Sequence, residues 1–434
     1  MQGHTHGATA RTLVVNFNSP ELNQLADALT QAGQLSQLVR PYLNKGRSWE
    51  RAISRLPLAG AVYNATFGRR CVASAELARL TVEAGIAADV CAAAMGHISV
   101  LPAHWRHLAK NRLYMRVREA VAKTAAQRVG LGDIDAVIAY EGFALPAFEA
   151  LQQRAPTAPK LLNYPVAHHR QRRKRRLDEI EREPAFAITW PDFDDWDHGH
   201  EARLDAEIAQ ADAVLVGSTY AADSFIAEGI ARSKMQVIPY GVDLATFTPP
   251  DRPRPADGVL RVIYAGQLTQ RKGLSYLLRG YQGFAAAQAQ RVSQLTLVGS
   301  PVGSLVPLLP YADLYEHVAH QTRPALAQRY RESDVFLFPT LVEGMPLVVL
   351  EAMACGLPVI VTANGPADIV RDGIDGFVIP ERDDEAIADR LDRLQRDPDL
   401  RIAMGCAAAA RAREFSWAVY RSRAVGLLQQ LVHA

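Results

Sequence analysis

Two glutamates, Glu343 and Glu351, frame part of residues 341–365, where the residue types suit the binding of an anion beside hydroxyl groups. Carboxylates accept hydrogen bonds from hydroxyls. Gly344 and Pro346 mark a tight turn between the two acids, and the residues after the turn have the pattern of a helix. The free N–H groups at a helix start bind phosphate. A phosphate cradle between two hydroxyl acceptors suits a sugar-bearing nucleotide, although a lone glutamate more often caps a helix or forms a surface salt bridge.

The surrounding sequence predicts a strand, a loop, a helix and a second strand. Residues 334–340 (DVFLFPT) form an apolar run of strand length, residues 347–354 (LVVLEAMA) suit a helix, and residues 357–362 (LPVIVT) suit a buried strand. Strand, loop and helix make half of a βαβ unit. The backbone N–H groups expected to form the phosphate cradle are those of Gly344, Met345 and Leu347.

Short apolar runs alternate with longer amphipathic stretches along the chain, which predicts a doubly wound α/β architecture that occurs twice. Residues 248–258 are rich in proline and polar residues and read as an interdomain linker. Strands are expected near residues 13–16, 136–140, 161–164 and 214–217 in the first half, and near residues 260–265, 295–298, 335–338 and 358–361 in the second.

The segment EGMPLVVLE, an E-x7-E pattern followed by AMACGLPVI, closely resembles the nucleotide-sugar domain of the retaining family 4 glycosyltransferases. Residues 211–249 look like the family's segment that joins two domains, and residues 264–273 (YAGQLTQRKG) look like its phosphate-binding loop. Residues 373–380 (GIDGFVIP) and 414–417 (EFSW) match its late turn and final helix. The resemblance is specific from about residue 211 onward, and the N-terminal part matches in outline.

The resemblance implies the GT-B fold, in which two Rossmann-like doubly wound domains face each other across a cleft. The expected domains are an acceptor-binding domain over residues 1–247, a nucleotide-sugar domain over residues 248–413, and a helix over residues 414–434 that crosses back to the first domain. The nucleotide sugar would be a co-substrate, and neither a cofactor nor a metal is expected.

Arg271 and Lys272 follow a predicted strand and Gly266, so both cations could reach a diphosphate as its negative charge builds on leaving. A solvated basic pair is the alternative. The family more often carries an arginine directly after this glycine, where the chain has Gln267, and Arg271 would then take over that role. The expected catalytic residues are Glu343, Arg271, Lys272 and His168, and the expected donor-binding residues are Glu351, Gly266, Gly344, Met345, Leu347, Gly299 and Arg323.

Two histidines, His168 and His169, resemble the place where the family positions a histidine near the reacting sugar. Adjacent side chains of an extended chain point opposite ways, so only one ring would face the cleft, and we prefer His168. Two surface histidines beside a basic run are the alternative. Glu141 follows a predicted strand at its carboxyl end, where open α/β sheets bind ligands. The expected acceptor-binding residues are Glu141, His169, Arg172 and Arg173.

Two segments of the first half depart from the family pattern. Residues 16–20 (NFNSP) leave a predicted strand where many relatives carry a glycine-rich turn toward the donor, and the glycines are absent here. Another segment looks like a metal-binding D-x-D motif, but that motif belongs to a different glycosyltransferase fold. We therefore interpret it as an acidic loop that contains Asp192, Asp194, Asp195 and Asp197.

Residues 170–176 (RQRRKRR) form a strongly basic run, followed by the acids of LDEIERE. Three interpretations remain open: contact with nucleic acid, contact with an anionic membrane or lipid phosphate, and a solvated helix face paired with its own acids. The net charge of +2 predicts no polyanion as a general partner. Our hypothesis is that the run approaches a lipid-linked acceptor at the inner membrane surface. Its basic residues are Arg170, Arg172, Arg173, Lys174, Arg175 and Arg176.

The composition of the 434-residue chain, 49% hydrophobic and 22% charged, suits a soluble enzyme with two packed domains. The four cysteines are far apart and form no CxxC pair, which favours a reducing cytoplasm. We expect neither a signal peptide nor a membrane span. His4 and His6 could imitate a metal-binding pair, but solvated terminal histidines are the preferred interpretation.

These observations favour a retaining glycosyltransferase that moves a sugar from a nucleotide diphosphate to a glycan or glycolipid, in cell-surface polysaccharide or lipopolysaccharide synthesis. Two alternatives remain: a catalytically silent nucleotide-sugar-binding subunit, and a nucleotide-sugar epimerase or phosphorylase on the GT-B scaffold. A dinucleotide oxidoreductase is disfavoured, because no strand is followed by G-x-G-x-x-G. UDP, GDP and ADP all remain open as the nucleotide.

Overall fold

The computed structural model describes residues 10–68, 70–72, 74–95, 103–190, 199–251, 258–288 and 292–433. Three features singled out in the sequence lie outside these residues: the pair His4 and His6, the acidic segment with Asp192, and most of the expected linker.

A seven-stranded sheet forms from the first half of the chain. Its strands are β1 (Thr12–Val15), β2 (Leu35–Arg40), β3 (Thr81–Glu83), β4 (Ala136–Tyr140), β5 (Lys160–Asn163), β6 (Ala213–Val216) and β7 (Met235–Val237). The strand order is β3-β2-β1-β4-β5-β6-β7, and the pairs from β3 to β6 are parallel. The order reverses direction at β1, next to β4, which is where a doubly wound sheet opens a crevice for ligands.

A six-stranded sheet forms from the second half. Its strands are β8 (Val259–Ala265), β9 (Val292–Val298), β10 (Tyr315–Val318), β11 (Val335–Phe338), β12 (Val359–Thr362) and β13 (Gly376–Ile379). The order is β10-β9-β8-β11-β12-β13, and all neighbouring strands are parallel. Every residue of β11 and β12 is buried, as expected of central strands covered on both faces.

Helices follow the strands in both halves. They are α1 (Pro20–Gln31), α2 (Ser48–Ser54), α3 (Pro57–Thr66), α4 (Ala75–Leu80), α5 (Ile86–Met95), α6 (Ala103–Leu131), α7 (Leu145–Arg154), α8 (His169–Arg182), α9 (His200–Gln210), α10 (Thr219–Ile226), α11 (Leu274–Ala286), α12 (Arg323–Arg331), α13 (Leu347–Ala354), α14 (Asp384–Arg396), α15 (Pro398–Ala412) and α16 (Trp417–His433). Side-chain caps explain several starts: Ser19 caps α1, Ser218 caps α10 and Asp383 caps α14.

The chain forms two compact units. The first unit contains Met1–Tyr164, Gly199–Leu215 and Arg421–Ala434, and the second unit contains Pro165–His198 and Val216–Tyr420. The end of α16 therefore belongs to the first unit, where Arg421 donates a hydrogen bond to Gln24 at 2.7 Å. This agrees with the expected return of the C-terminal helix. The domain boundaries expected from the sequence, at residues 247/248 and 413/414, stay a prediction.

Candidate functional site

Four loops meet at the carboxyl edge of the second sheet. They follow β8, β9, β11 and β12, and because these strands are parallel their carboxyl ends share one edge. The loops contain Gly266, Gly299, residues 339–346 and residues 363–365, respectively. Most of the residues predicted from the sequence to contact the donor lie in these loops or in the short 3₁₀ turn Gln270–Lys272 that continues the first of them.

Glycines let these loops touch through their backbones. A Cβ at Gly299 would lie 1.7 Å from the carbonyl oxygen of Gly266, and both residues have positive φ. At Gly273, where φ is +72°, a Cβ would lie 2.0 Å from the carbonyl oxygen of Pro339. No other residue type fits at Gly299 or at Gly273, so backbone packing requires these two glycines whether or not a ligand is bound.

Arg271, Lys272 and Glu343 form a compact ion cluster. The Arg271 guanidinium donates to Glu343 Oε1 at 2.8 Å and to the carbonyl oxygen of Val342 at 2.7 Å. Lys272 Nζ donates to the same Glu343 oxygen and lies 4.7 Å from the centre of the Phe338 ring. The structure thus brings together three of the four residues predicted to be catalytic.

Burial and neighbouring charges together shift the pKa values of this cluster. Burial lowers the pKa of Lys272 to about 8, against the opposing effect of Glu343. Burial alone would raise the pKa of Glu343, but Arg271 and Lys272 outweigh it and lower that pKa below its usual value. One carboxylate therefore faces two cations, and the pair of cations can accept further negative charge.

The start of α13 lies beside this cluster and has no side-chain cap. Gly344 packs so closely that a Cβ would lie 1.7 Å from the carbonyl oxygen of Pro165, and its own carbonyl accepts from Ser218 Oγ at 2.5 Å. Met345 is buried, and its sulfur accepts from the N–H of Tyr240 at 2.8 Å. Helical structure begins at Leu347, as the sequence predicts, so the turn and helix start that could bind phosphate are both present.

Glu351 lies on α13 in a buried setting of its own. It accepts from Arg323 at 3.3 Å, and the Arg323 guanidinium lies 5.2 Å from the centre of the Phe247 ring. Burial raises the pKa of Glu351 to about 7, with Arg323 opposing the shift and Asp243 adding to it. Glu351 is therefore a buried carboxyl, paired with the half-exposed Arg323, rather than a surface glutamate.

The two histidines lie at the start of α8 and not on an extended chain. His168 is the N-cap, and its Nδ1 accepts from the N–H of Arg170 at 3.2 Å. The rings of His168 and His169 stack with centroids 4.1 Å apart, and both residues are buried. The premise that adjacent side chains point opposite ways is wrong here, because the helix start turns both rings to one side.

The basic run forms the first half of α8 and is largely engaged within the second unit. Arg175 pairs with Glu381, and Arg176 donates to the carbonyl oxygen of Trp190 at 2.9 Å. Arg172 is half-buried, whereas Arg173 and Lys174 are exposed.

The acids that follow the basic run contact an arginine elsewhere in the unit. Arg382 contacts Asp178 at 2.6 Å and Glu179 at 2.8 Å. Within α8, Arg182 also pairs with Asp178 four residues before it.

Glu141 lies in the first unit, directly after β4, as predicted. Beside it the sequence reasoning missed Glu207, which is fully buried and accepts from the N–H groups of Gly142 at 2.6 Å and Ala144 at 2.8 Å. Burial raises the pKa of Glu207 to about 7 despite these hydrogen bonds. Nothing in the local sequence of α9 marks Glu207, because its partners are distant along the chain.

The second unit also holds residues that sequence reasoning did not select. Asn364 donates to the carbonyl oxygen of Leu341 at 3.0 Å and to Glu381 at 2.5 Å, so it ties the loop after β12 to the loop with Glu343. Gly365, with φ of +122°, lies so close that a Cβ would be 2.9 Å from the Cβ of Glu343. The sequence does contain a signal for these two residues, because an Asn-Gly pair just after a predicted buried strand indicates a tight turn.

A cavity of about 470 Å³ lies in the second unit, but at the amino edge of its sheet. Its walls include Leu260 at the start of β8, Asp334 before β11 and Pro358 before β12, together with residues of α15. It is therefore separate from the ion cluster, which lies at the carboxyl edge.

Solved structures share this fold over nearly the whole chain. Sucrose-phosphate synthase from Thermosynechococcus elongatus is similar with a TM-score of 0.63 and 19% identity, covering 97% of this chain and 99% of that one. HepE of Anabaena in complex with UDP is similar with a TM-score of 0.61 and 14% identity, covering 97% and 100%. The two parallel-sheet α/β units and these neighbours define a GT-B fold.

The sequence comparisons match a family model and several curated relatives. Residues 260–397 match the family model described as Glycosyl transferases group 1. D-inositol 3-phosphate glycosyltransferase of Actinosynnema mirum is 33% identical over 230 residues, 48% of this chain and 55% of the relative. The same enzyme of Kribbella flavida is 31% identical over 239 residues, 50% of this chain and 56% of the relative. The chain thus spans about half the length of these relatives. Within the described ranges, no helix has the length and apolar character needed to cross a membrane.

Proposed function

We propose that the second unit binds a nucleotide diphosphate sugar and that the chain is a retaining glycosyltransferase. The observation that carries this proposal is the ion cluster of Arg271, Lys272 and Glu343 beside the uncapped start of α13. Two cations that share one carboxylate can rebind to a diphosphate, whose charge exceeds that of Glu343. Relatives named as glycosyltransferases and neighbours solved with UDP support the same conclusion.

Each step of the proposed glycosyl transfer is assigned to particular groups. The bond between the anomeric carbon and the diphosphate oxygen breaks, and Arg271 and Lys272 stabilise the negative charge that develops on that oxygen. The acceptor hydroxyl attacks the anomeric carbon from the same face, and its proton passes to the leaving phosphate. Glu351 accepts hydrogen bonds from sugar hydroxyls of the donor, and His168 lies near the reacting sugar. We propose that no metal takes part.

The first test is a thermal-shift screen with UDP-, GDP-, ADP- and dTDP-sugars. One nucleotide class should raise the melting temperature of the wild type, and the shift should shrink in Lys272→Ala and in Glu351→Ala. Arg396→Ala is the matched control, because Arg396 is an exposed cation of the same unit that pairs with its helix neighbour Asp392. A shift that survives in Lys272→Ala, or one lost equally in Arg396→Ala, would contradict the assigned site.

The reaction type needs a product measurement. Incubation of the stabilising nucleotide sugar with glycan and glycolipid acceptors, in buffer with EDTA, should give a product with the donor's anomeric configuration by NMR. Conversion of the nucleotide sugar without acceptor would instead identify an epimerase, and donor binding without turnover would identify a silent subunit. An inverted product would remove the retaining mechanism alone.

The proposal also specifies the class of acceptor and where it is bound. We propose a glycan or a lipid-linked acceptor in cell-surface polysaccharide synthesis, approached at an anionic membrane surface through the exposed part of the basic run. The exposed residues Arg173 and Lys174 would contribute to this contact, at about 1 kcal/mol per residue. Sedimentation with anionic liposomes should weaken in the double variant Arg173→Gln, Lys174→Gln, and remain unchanged in Arg396→Gln. Equal sedimentation of all three proteins would remove the membrane contact.

A further inference from the structure

Arg40 is a buried cation that has no ion-pair partner among the described residues. It ends β2 at the carboxyl edge of the first sheet, and only 1% of its surface is exposed. Its guanidinium donates to the side-chain oxygens of Asn23, at 3.1 Å, and Asn18. Both acceptors are neutral amides, and the Nε–H group has no hydrogen-bond partner among the residues that the structure describes. A buried charge in such a setting is costly unless a further group compensates it.

The acids around Arg40 are already bound by other groups. Asp89 accepts from Arg70 and from the N–H of Tyr42 at 3.2 Å. Glu83 pairs with Arg47 and with Lys45 at 3.7 Å. Burial, followed by the positive charge of Arg70, lowers the pKa of Arg40 to about 10. The charges of Asp89 and Glu83 oppose this shift, but among the described residues neither acid forms an ion pair with Arg40.

Aromatic rings lie next to Asn18, which accepts a hydrogen bond from Arg40. Phe17 directly precedes Asn18, stacks on Phe143 with centroids 5.0 Å apart, and meets Tyr114 edge-on at 5.9 Å. The Nζ of Lys110 lies 5.6 Å from the centre of the Tyr114 ring. Phe17 and Tyr114 are half-buried, so parts of their rings remain accessible. The electron-rich face of an aromatic ring suits the apolar C–H face of a sugar ring.

The side-chain oxygen of Asn18 is the Arg40 acceptor that we expect a ligand to displace. Its backbone has φ of +68°, a conformation that asparagine tolerates better than most residues, and its side chain is half-buried. An oxyanion in place of this amide oxygen would form charge-assisted hydrogen bonds, which are shorter and stronger than neutral ones. Arg70, which pairs with Asp89 and whose side chain is 19% exposed, adds positive charge near Arg40.

We infer that this edge of the first unit is a subsite for an anionic sugar, whose phosphate or carboxylate binds Arg40 and whose ring packs on Phe17. As the acceptor subsite of a glycosyltransferase it rests on the proposed function, but as a binding site for an anionic sugar it does not. The position fits the rule that open α/β sheets bind ligands at the carboxyl ends of their strands.

Calorimetric titration with glucose 6-phosphate, glucuronate and glucose tests this inference. The Lys272→Gln protein is the background, which weakens the binding of phosphate to the second unit. One of the two anionic sugars should bind and glucose should not, and which anion binds identifies the oxyanion. Arg40→Gln should weaken that binding by about tenfold or more, because a charge-assisted contact is lost. Arg11→Gln should not, because Arg11 is an exposed cation at the amino edge of the same sheet.

A second variant keeps the inference testable if Arg40→Gln does not fold. Asn18→Asp places a carboxylate on Arg40 from within the chain, so it should raise the melting temperature and abolish binding of the anionic sugar. Equal binding of glucose and the anionic sugars, or anionic-sugar binding that Asn18→Asp leaves unchanged in the Lys272→Gln background, would overturn the subsite. Anionic-sugar binding that depends on Arg40 supports it even if no nucleotide sugar binds the second unit, an outcome that would remove the proposed function alone.

Discussion

At the residue scale, the second unit combines two groups whose pKa values move toward neutrality from opposite sides. Glu351 is a carboxyl with a pKa raised to about 7, and Lys272 is an amine with a pKa lowered to about 8. Burial is the main cause in both cases, because it disfavours the charged form of each group. Each group is therefore in its charged form only on one side of its own pKa.

Donor affinity should consequently pass through a maximum between about pH 7 and about pH 8. Below that window Glu351 is protonated and accepts hydroxyl hydrogen bonds less well, and above it Lys272 loses the charge that binds phosphate. Titration calorimetry of the stabilising nucleotide sugar at constant ionic strength measures this profile. Glu351→Gln should flatten the acid side only, so an acid side unchanged in that variant would show that another group titrates.

Glu351 should also reduce stability at alkaline pH. Its pKa in the folded protein lies above the ordinary value of 4.5, so the folded state binds more protons than the unfolded state between about pH 4.5 and about pH 7. The stabilising contribution is present below this window and is lost as pH rises through it. Glu351→Gln should therefore be more stable than the wild type at about pH 8, by about 1–3 kcal/mol. Urea unfolding at that pH and at about pH 4, below the ordinary pKa of the carboxyl, measures this difference, which should nearly vanish at the lower value.

At the element scale, the loop before α13 depends on close backbone contact. Gly344→Ala would force a Cβ against the carbonyl oxygen of Pro165, which cannot move away as a flexible side chain could. We expect the free energy of unfolding to fall by about 1–3 kcal/mol and donor binding to weaken, because the helix start shifts. Denaturant unfolding and thermal shift measure both effects.

Gly426→Ala is the matched control for this substitution. Gly426 lies inside α16, and a Cβ there meets nothing within 4 Å. Because alanine favours the helix over glycine, this variant should gain about 0.5–1 kcal/mol of stability. Equal destabilisation by both substitutions would mean that the contact with Pro165 has no special role.

At the scale of the whole molecule, the C-terminal helix completes the first unit. Leu428 is about 1% exposed, and this part of α16 belongs with the N-terminal residues. Leu428→Ala should lower the stability of the first unit by about 2–5 kcal/mol, because a cavity replaces a buried side chain. The thermal shift caused by the nucleotide sugar should persist, since its site is built from the second unit. Differential scanning calorimetry should show a lowered transition that Gln429→Ala, an exposed neighbour, leaves unchanged.

The fold and site were predictable where the local sequence pattern is strong. The helix LVVLEAMA begins and ends at the predicted residues, and strands β4 and β11 coincide with their predictions. Strands such as β2 and β3 were not predicted, because β2 mixes polar with apolar residues and β3 has only three residues. Their existence depends on pairing with neighbours, which a local pattern does not contain.

The sequence by itself determined the doubly wound architecture and the grouping of Arg271, Lys272 and Glu343, because parallel strands bring the loops that follow them to one edge of the sheet. Only the tertiary structure decided which charges share a partner. It placed Lys272 on Glu343, stacked His168 on His169, and left Arg40 buried among neutral amides. The physical reason is that hydrogen bonds, burial and pKa values depend on distances between residues far apart in the chain, and those distances exist only once the chain is packed.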